Sequence, residues 1–164
     1  MNDMSNTDNV SYKIRKIKQV SFYINENLFS KNNPQPLTIE LNQNFGFSVE
    51  NNLIVLSILV FYKLPDSNES QPPLVQIEVQ NIFEIADLEK FFVDQSYIKL
   101  PPKIITSVVG LSISHTRALL STNILGTVFQ DQLLSIMDAE TVAKHFYPYM
   151  FDNSIPADII ETIR

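Results

Sequence analysis

The sequence predicts an α+β domain in which a four-stranded antiparallel meander sheet packs with one long and one shorter C-terminal helix. Three observations support this fold class. The front half holds four stretches with the alternation or the dense apolar content of strands, separated by polar turns. A long stretch of helical periodicity follows at Lys103–Leu125. A shorter helix is bracketed by Asp138 and Pro148.

The first predicted strand, Tyr12–Asn25, alternates apolar residues with Lys and Arg. Its apolar positions change phase between Ile14 and Ile17, which predicts a β-bulge near Lys16. The basic residues fit a solvated strand face better than a nucleic-acid patch, because the chain as a whole is acidic.

The second and third strands are joined by a tight turn. Leu37, Ile39 and Leu41 alternate with polar residues, which is typical of an amphipathic strand. The turn at Glu50–Asn52 then leads into Leu53–Leu64, which is nearly all apolar. Such a strand is expected to be central in the sheet or covered on both faces.

The fourth strand is predicted at Leu74–Ile85, with a break at Asn81. Its apolar and polar residues alternate cleanly, as in a half-buried strand. Glu78 lies among β-branched residues on the polar side of this pattern, so its carboxylate is expected to face solvent or a partner.

The long helix carries two neighbouring apolar stripes, which together are wider than one buried face requires. We therefore expect one side to pack on the sheet and the other on a partner subunit; burial in a monomer core is the alternative. Gly126 is predicted to end this helix. Val128–Met137 is expected to be an extended linker, followed by a helix over Ala139–Tyr147 with Asp138 as its N-cap.

Length and composition bound the possible functions. The 164 residues fit one domain, predicted over residues 12–164 after a disordered polar tail at residues 1–11. The net charge of −6 argues against nucleic acid as the main partner. The absence of cysteine and of a secretory signal leads us to expect a cytoplasmic protein. The longest apolar run, Leu53–Tyr62, is too short to enter a membrane directly.

No residue pattern predicts an enzyme. The two histidines, His115 and His145, lack an orienting acid or a third metal ligand at suitable spacing. The acidic cluster of Glu84, Asp87 and Glu89 fits a solvated loop better than an acid–base pair. Three glycines leave no phosphate-binding loop. We therefore predict no catalytic residue, no metal site and no cofactor.

Three blocks of sequence, in order, carry a resemblance to a known family. They are a first strand closing in Ser-Phe at Tyr12–Phe22, the run Glu78–Phe83, and Arg117 followed twelve residues later by Phe129 and then Leu134. Together they resemble the SecB family of export chaperones, over most of the chain between Tyr12 and Phe146.

The resemblance implies a fold and a function. It implies an ATP-independent holdase that binds unfolded or precursor polypeptides, assembled as a homo-oligomeric dimer or tetramer with the long helix between dimers. Its client groove would lie between the sheet, the second helix and the crossover linker. The client-binding positions implied here are Phe29, Leu37, Ile39, Leu41, Phe129 and Met137.

The chain also departs from the family pattern. Gln19 and Tyr23 stand where the family has acidic residues that contact the export ATPase SecA, and only Glu78 is kept as a partner-ATPase contact. Ile136 replaces a family proline in the linker. Binding of SecA is therefore open. The alternative is a dedicated SecB-like chaperone or adaptor for one partner, such as a toxin–antitoxin system.

Overall fold

The computed structural model describes residues 10–29, 36–65, 67, 71–93 and 97–152. Residues 1–9 of the predicted tail and the segment from residue 153 onward lie outside the described residues. The strands are β1 (Tyr12–Ile24), β2 (Thr38–Ser48), β3 (Leu53–Lys63) and β4 (Val75–Ile85), and the helices are α1 (Pro102–Asn123) and α2 (Ala139–Phe146). Short 3₁₀ turns occupy Glu26–Leu28, Leu88–Phe91 and Pro148–Met150.

The four strands form one antiparallel sheet in the order β1-β4-β3-β2. The predicted four-stranded antiparallel sheet with two helices is confirmed. The predicted meander, in which all four strands are neighbours in chain order, is corrected. Only β2, β3 and β4 follow one another, and β1 lies beside β4. This order places the two most apolar strands, β3 and β4, in the centre and the charge-rich β1 at an edge, where its polar backbone and lysines can face water.

Irregularities in the pairing of β1 with β4 match the phase change in its sequence. The register shifts between Ile14 and Lys16, which confirms the predicted bulge. A second shift between Gln19 and Ser21 was not predicted. The extra residues, Arg15 and Val20, turn the strand without breaking its pairing.

The sheet has one face packed against the helices, here called the covered face. Alternate residues of the central strands point into it and are almost fully buried, among them Ile54, Leu56, Ile58, Val60 and Tyr62 of β3 and Val75, Ile77, Val79 and Phe83 of β4. The opposite face is called the open face. Its apolar side chains, Leu53, Val55, Leu59, Phe61 and Ile82, are only partly buried and stay outside the core cluster.

Helix α1 packs on the covered face and on α2. Its buried side includes Ile105, Val108 and Val109. On another side, a Cβ on Gly110 would lie 2.9 Å from the Cβ of Ala139, so the two helices meet closely there. The chain's own α2 thus occupies part of the α1 surface that the sequence assigned to a partner subunit. Although α1 is long and apolar enough to cross a membrane, here it lies between the sheet and α2.

The ends of both helices follow local chemistry. Helix α1 ends at Asn123, two residues before the predicted end, and Gly126 follows with φ of 80°. Asp138 caps α2 as predicted, since its carboxylate accepts a hydrogen bond from the Thr141 N–H at 2.7 Å. Hydrogen bonds from the side chain and the backbone N–H of Thr141 lower the pKa of Asp138 below its usual value.

Candidate functional site

The edge strand β2 presents a row of side chains on the covered face, at the margin of the helix layer. In register with buried residues of β3, this row consists of Ile39, Leu41, Gln43, Phe45 and Phe47, and Leu37 lies just before the strand. Ile39 lies opposite Tyr62 and is 37% exposed, whereas Tyr62 is fully buried. The row therefore runs from the core into solvent along an open edge of the sheet.

The linker between the two helices, residues 124–138, lies against one end of this row. The Tyr62 hydroxyl donates a hydrogen bond of 2.6 Å to the Gln132 carbonyl. The backbone N–H of Val128 donates to the Glu26 carboxylate at 3.1 Å. The ring of Phe129 packs on Phe29, with centroids 5.0 Å apart. These contacts attach the linker to β3 and to the β1–β2 connection, and burial raises the pKa of Tyr62 to about 12.

Aromatic side chains close the other end of the row. Phe45 packs on Tyr147, just after α2, with centroids 5.6 Å apart. Phe47 meets Phe92 edge to face at 5.1 Å. Burial raises the pKa of the Tyr147 hydroxyl above its usual value.

Gln43 lies in the middle of the row, between the linker end and the aromatic end. Its Nε2 and Oε1 atoms are both buried without a hydrogen-bond partner among the described residues. The hydroxyl of Tyr147 is also buried without a hydrogen-bond partner among the described residues. A buried amide without partners costs free energy, and a donor and acceptor from another chain would remove that cost only if the side chains covering Gln43 moved aside.

Several apolar side chains around this region face solvent. Leu28 adjoins Phe29, and Leu133 adjoins the anchored Gln132; they are 56% and 52% exposed. Ile136 is 82% exposed. The sequence did not single out Leu28 or Leu133 as site residues, although Leu133 is an apolar residue in a non-periodic linker. Together with Leu37 and the first residues of the β2 row they define the groove: Leu28, Leu37, Ile39, Leu41, Gln43 and Leu133. Ile136 lies outside the groove, in a cleft against α1 that it lines together with Met137.

The six predicted client-binding residues fall into three environments. Ile39 and Leu41 line the β2 side of the groove, and Leu37 directly precedes this strand. Phe129 is fully buried and, with the partly buried Phe29, holds the linker in place. Met137 lies at the far end of the linker, in a shallow cleft against α1 that no β2 residue lines. The structure therefore brings the first five to one end of the covered face and places Met137 apart.

The histidine in the helix layer is bound to the sheet. Asn81 directs its Nδ2 toward the Val79 carbonyl, so its Oδ1 accepts a hydrogen bond from Nδ1 of His115 at 2.7 Å. Burial lowers the pKa of His115 below its usual value of 6.5. The predicted break of the strand at Asn81 is wrong: β4 continues through Asn81, whose buried amide lies on the covered face and binds His115.

The acidic residues singled out by the sequence are mostly paired at the surface. Glu84 binds both Lys13 and Arg15, and these partners lower the pKa of its carboxyl. Asp87 binds Lys90. Within the described residues, no three His, Asp or Glu side chains converge on a metal-binding arrangement.

The residues discussed for binding of a partner ATPase lie on different faces. Glu78 and Tyr23 are on the open face, in the rows formed with Ser21 and Gln76. Gln19 is on the covered face, where its amide oxygen accepts a hydrogen bond of 2.7 Å from Asn123 of α1.

Comparisons with known proteins support the fold. No family model and no curated protein matches the sequence. Among solved structures, the fold is similar to a SecB-like chaperone of Mycobacterium tuberculosis determined in complex with a ChAD peptide from the HigA1 antitoxin. The similarity has a TM-score of 0.50 at 12% identity and covers 77% of this chain and 90% of that one.

Proposed function

We propose that this SecB-like chain is an ATP-independent holdase chaperone that binds unfolded polypeptides in the groove. The observation that carries the proposal is the apolar row on the covered face of β2, which begins in the core and reaches solvent at Ile39. The similar fold of a chaperone bound to an antitoxin peptide supports binding of a polypeptide. Apolar burial would supply the affinity, at roughly 25 cal/mol per Å².

Gln43 would let the groove bind the backbone of a client as well as the client's side chains. An extended peptide exposes N–H and C=O groups whose hydrogen bonds do not depend on sequence. Once a client displaces the side chains that cover it, the Gln43 amide would donate to and accept from such a peptide, while Ile39 and Leu41, which precede Gln43 in the same row, would receive its apolar residues. This combination favours many clients over one.

The experiment is suppression of aggregation. Three unrelated denatured proteins are diluted into buffer with increasing amounts of the chain, and light scattering is followed without nucleotide. We expect suppression near stoichiometric amounts. Ile39→Asp should raise the amount needed for half suppression by about tenfold or more, since burial of an isoleucine contributes about 1.5–3 kcal/mol.

Thr38→Asp is the matched control. Thr38 is the exposed neighbour of Ile39 on the same strand and faces the open face, so the same charge is added one residue away. It should suppress aggregation like the unmodified chain. Failure of the unmodified chain with all three clients, or equal activity of the two variants, would reject the holdase proposal.

A single-partner role is the second candidate, favoured by the antitoxin peptide in the similar structure. Such an adaptor would protect one polypeptide and leave the unrelated clients unprotected. The same groove would be used, so Ile39→Asp would still weaken that one complex. The range of clients protected thus separates the two candidates.

Export, assembly and location are finer parts of the proposal. A role in export would place the chain in the cytoplasm and use Glu78 on the open face as the contact for SecA. Assembly into a dimer or tetramer has support in β1, a 13-residue edge strand with exposed Ile14, Ile17 and Val20. The free backbone groups of such an edge can pair with another chain, and a second copy would cover these apolar side chains. The mass of the chain in solution tests this part.

A further inference from the structure

A shallow cleft lies between α1 and the end of the linker, apart from the groove. Its α1 wall consists of Gly110, Ile113, Ser114 and Arg117, and its linker wall consists of Ser135, Ile136 and Met137. The α1 residues are spaced i, i+3, i+4 and i+7, so they share one helix face over two turns, or roughly 10 Å. A Cβ on Gly110 would lie 2.9 Å from that of Ala139, so the start of α2 bounds the cleft at its Gly110 end.

The positive charge in the cleft belongs to Arg117, which is half-buried. Within the part of the chain that the structure describes, its guanidinium takes part in no ion pair and no hydrogen bond. The next acid along the linker, Asp138, directs its carboxylate to Thr141 instead. A planar guanidinium matches a carboxylate with two parallel hydrogen bonds, and such charge-assisted bonds are stronger than neutral ones. Arg117 is therefore available to bind a carboxylate.

The linker wall adds hydrogen-bond donors. Among the described residues, the backbone N–H groups of Ser135, Ile136 and Met137 donate to no other backbone group. The Ser135 side chain is exposed, whereas the Ser114 hydroxyl on the opposite wall already donates to the Gly110 carbonyl at 2.8 Å. The donors that remain for a ligand therefore come from the linker and from the guanidinium.

Apolar side chains lie beside these donors. Ile113 is buried, Met137 is partly buried, and Ile136 is 82% exposed. A single exposed isoleucine is common on protein surfaces, but this one shares a cleft with an unpaired cation. A ligand that suits both groups combines a carboxylate with an apolar group a short distance away.

We propose that the cleft binds the free C-terminus of a polypeptide whose last residue is apolar. The last residue of a chain carries its carboxylate and its side chain on the same Cα, so both fit within the two turns of α1. Arg117 and the Ser135 hydroxyl donate hydrogen bonds to the carboxylate, and Ile113 and Ile136 pack on the side chain. This site is separate from β2, so the proposal goes beyond the holdase function of the groove and does not depend on it.

Other anions fit the cleft less well. An acidic side chain within a polypeptide needs room for the chain on both sides of it, and α2 bounds the cleft at the Gly110 end. A phosphate group would bind the guanidinium but leave Ile113 and Ile136 uncovered. A terminal carboxylate next to an apolar side chain uses both parts of the site.

The test measures binding of three peptides to the full chain by fluorescence anisotropy, with the label at the N-terminus of each peptide. The first ends in Ile with a free carboxylate, and the second is the same peptide with a C-terminal amide. The third has Glu-Ile inside its sequence and an amide at its end. We expect the first to bind about tenfold more tightly than the second, because the amide removes the charge that Arg117 binds. Arg117→Gln should remove this preference, and Arg117→Lys should restore part of it.

Matched variants test the two parts of the cleft. Lys103→Gln removes one positive charge from α1 outside the cleft and should leave the preference for the free carboxylate in place. Ile136→Ser should weaken binding of the first peptide roughly fivefold, because its side chain would be partly buried by the ligand. Leu125→Ser replaces another apolar side chain, 76% exposed and outside the cleft, and should leave the affinity unchanged.

Equal binding of the first two peptides, or a preference that survives Arg117→Gln, would overturn the proposal. So would tighter binding of the third peptide, or equal competition by inorganic phosphate and by the unlabelled first peptide. Self-association that Arg117→Gln abolishes would assign the cleft to a second copy instead and would also overturn it. None of these outcomes depends on whether the chain suppresses aggregation.

Discussion

Neighbouring residues of β3 belong to two different surfaces. Ile58 points into the covered face, beside Val79 and Gln43, and is fully buried. Leu59 points into the open face, beside Glu78 and Asn42, and remains partly exposed. Both are branched aliphatic residues of the same size on the same strand, so their sequence neighbourhood does not explain the difference. The difference arises because the helix layer covers the face into which Ile58 points and leaves the face of Leu59 uncovered.

The difference separates stability from interaction. The covered face gains its free energy from burial within the chain, so its residues are fixed by packing. The open face retains apolar area that the folded chain does not use, and such area costs solubility unless another molecule covers it. The groove lies at the margin between these two conditions, where a row of β2 leaves the helix layer.

The largest effect on stability is expected from truncating Ile58, with its neighbour Leu59 as the comparison. Ile58→Ala should lower the free energy of unfolding by about 2–5 kcal/mol, because it removes buried methylenes and leaves a cavity. Leu59→Ala should lower it by about 1 kcal/mol or less, since its side chain already contacts water. Urea unfolding at several protein concentrations measures both values.

A large loss for Leu59→Ala would contradict the comparison as drawn. If that loss grew with protein concentration, the open face would be covered by a second copy in solution. If it did not, the face would be covered by the chain's own residues. Either result would change the assignment of this surface, whereas the Ile58→Ala value serves as the internal standard.

Local chemistry predicted the elements better than their arrangement. The alternation in β2 and β4, the bulge near Lys16 and the cap at Asp138 depend on nearby residues, and each was confirmed. The position of β1 was not predictable in this way. The amphipathic pattern of β1 is compatible with a position beside β2 as well as beside β4. The sequence indicated a position in the sheet only for β3, whose apolar content favoured a central place.

The groove was predicted only in part for a similar reason. Periodicity predicts which face of a strand a side chain lies on, so it placed Leu37, Ile39 and Leu41 on one face; their role in client binding came only from the resemblance and stays a prediction. A linker has no period, so the exposure of Leu133 and the burial of Phe129 depend on tertiary contacts alone. Gln43 could have been found, because the phase set by Leu41 and its neighbours places this amide on the apolar side of β2.

The second prediction uses two glycines, one at each side of the sheet. Gly110→Ala should destabilise the chain by about 1–3 kcal/mol, because the new Cβ would lie 2.9 Å from that of Ala139 and push α2 away. This overpacking should exceed the roughly 1 kcal/mol that alanine contributes to helix propensity. Thermal unfolding and hydrogen exchange of α2 amides measure the effect.

Gly46→Ala is the matched change on the open face. Among the residues that the structure describes, no atom lies within 4 Å of a Cβ built there, so the variant should be more stable by about 0.5–1 kcal/mol. Adding Ala139→Gly to the Gly110 variant should restore most of the lost stability. A stabilising Gly110→Ala would show that α1 and α2 are packed more loosely than their contact indicates.

The smallest expected effect concerns the pH dependence of the covered face. The fold holds the pKa of His115 below its usual value of 6.5, so the unfolded chain binds this proton first as the pH falls. The contribution of His115 to stability is therefore complete above about pH 6.5 and is lost as the pH falls below it. Glu84 and Asp138, whose pKa values are also lowered, lose their contributions only in the more acidic range below 4.5 and 3.8.

His115→Gln should flatten the stability curve between pH 7.5 and 5.5, because glutamine can still donate a hydrogen bond to Asn81 but does not titrate. Urea unfolding across this pH range measures the slopes of the variant and of the unmodified chain. Parallel curves for the His115 variant and the unmodified chain would mean that the covered face near Asn81 admits water. That surface would then resemble the open face more closely than its burial indicates.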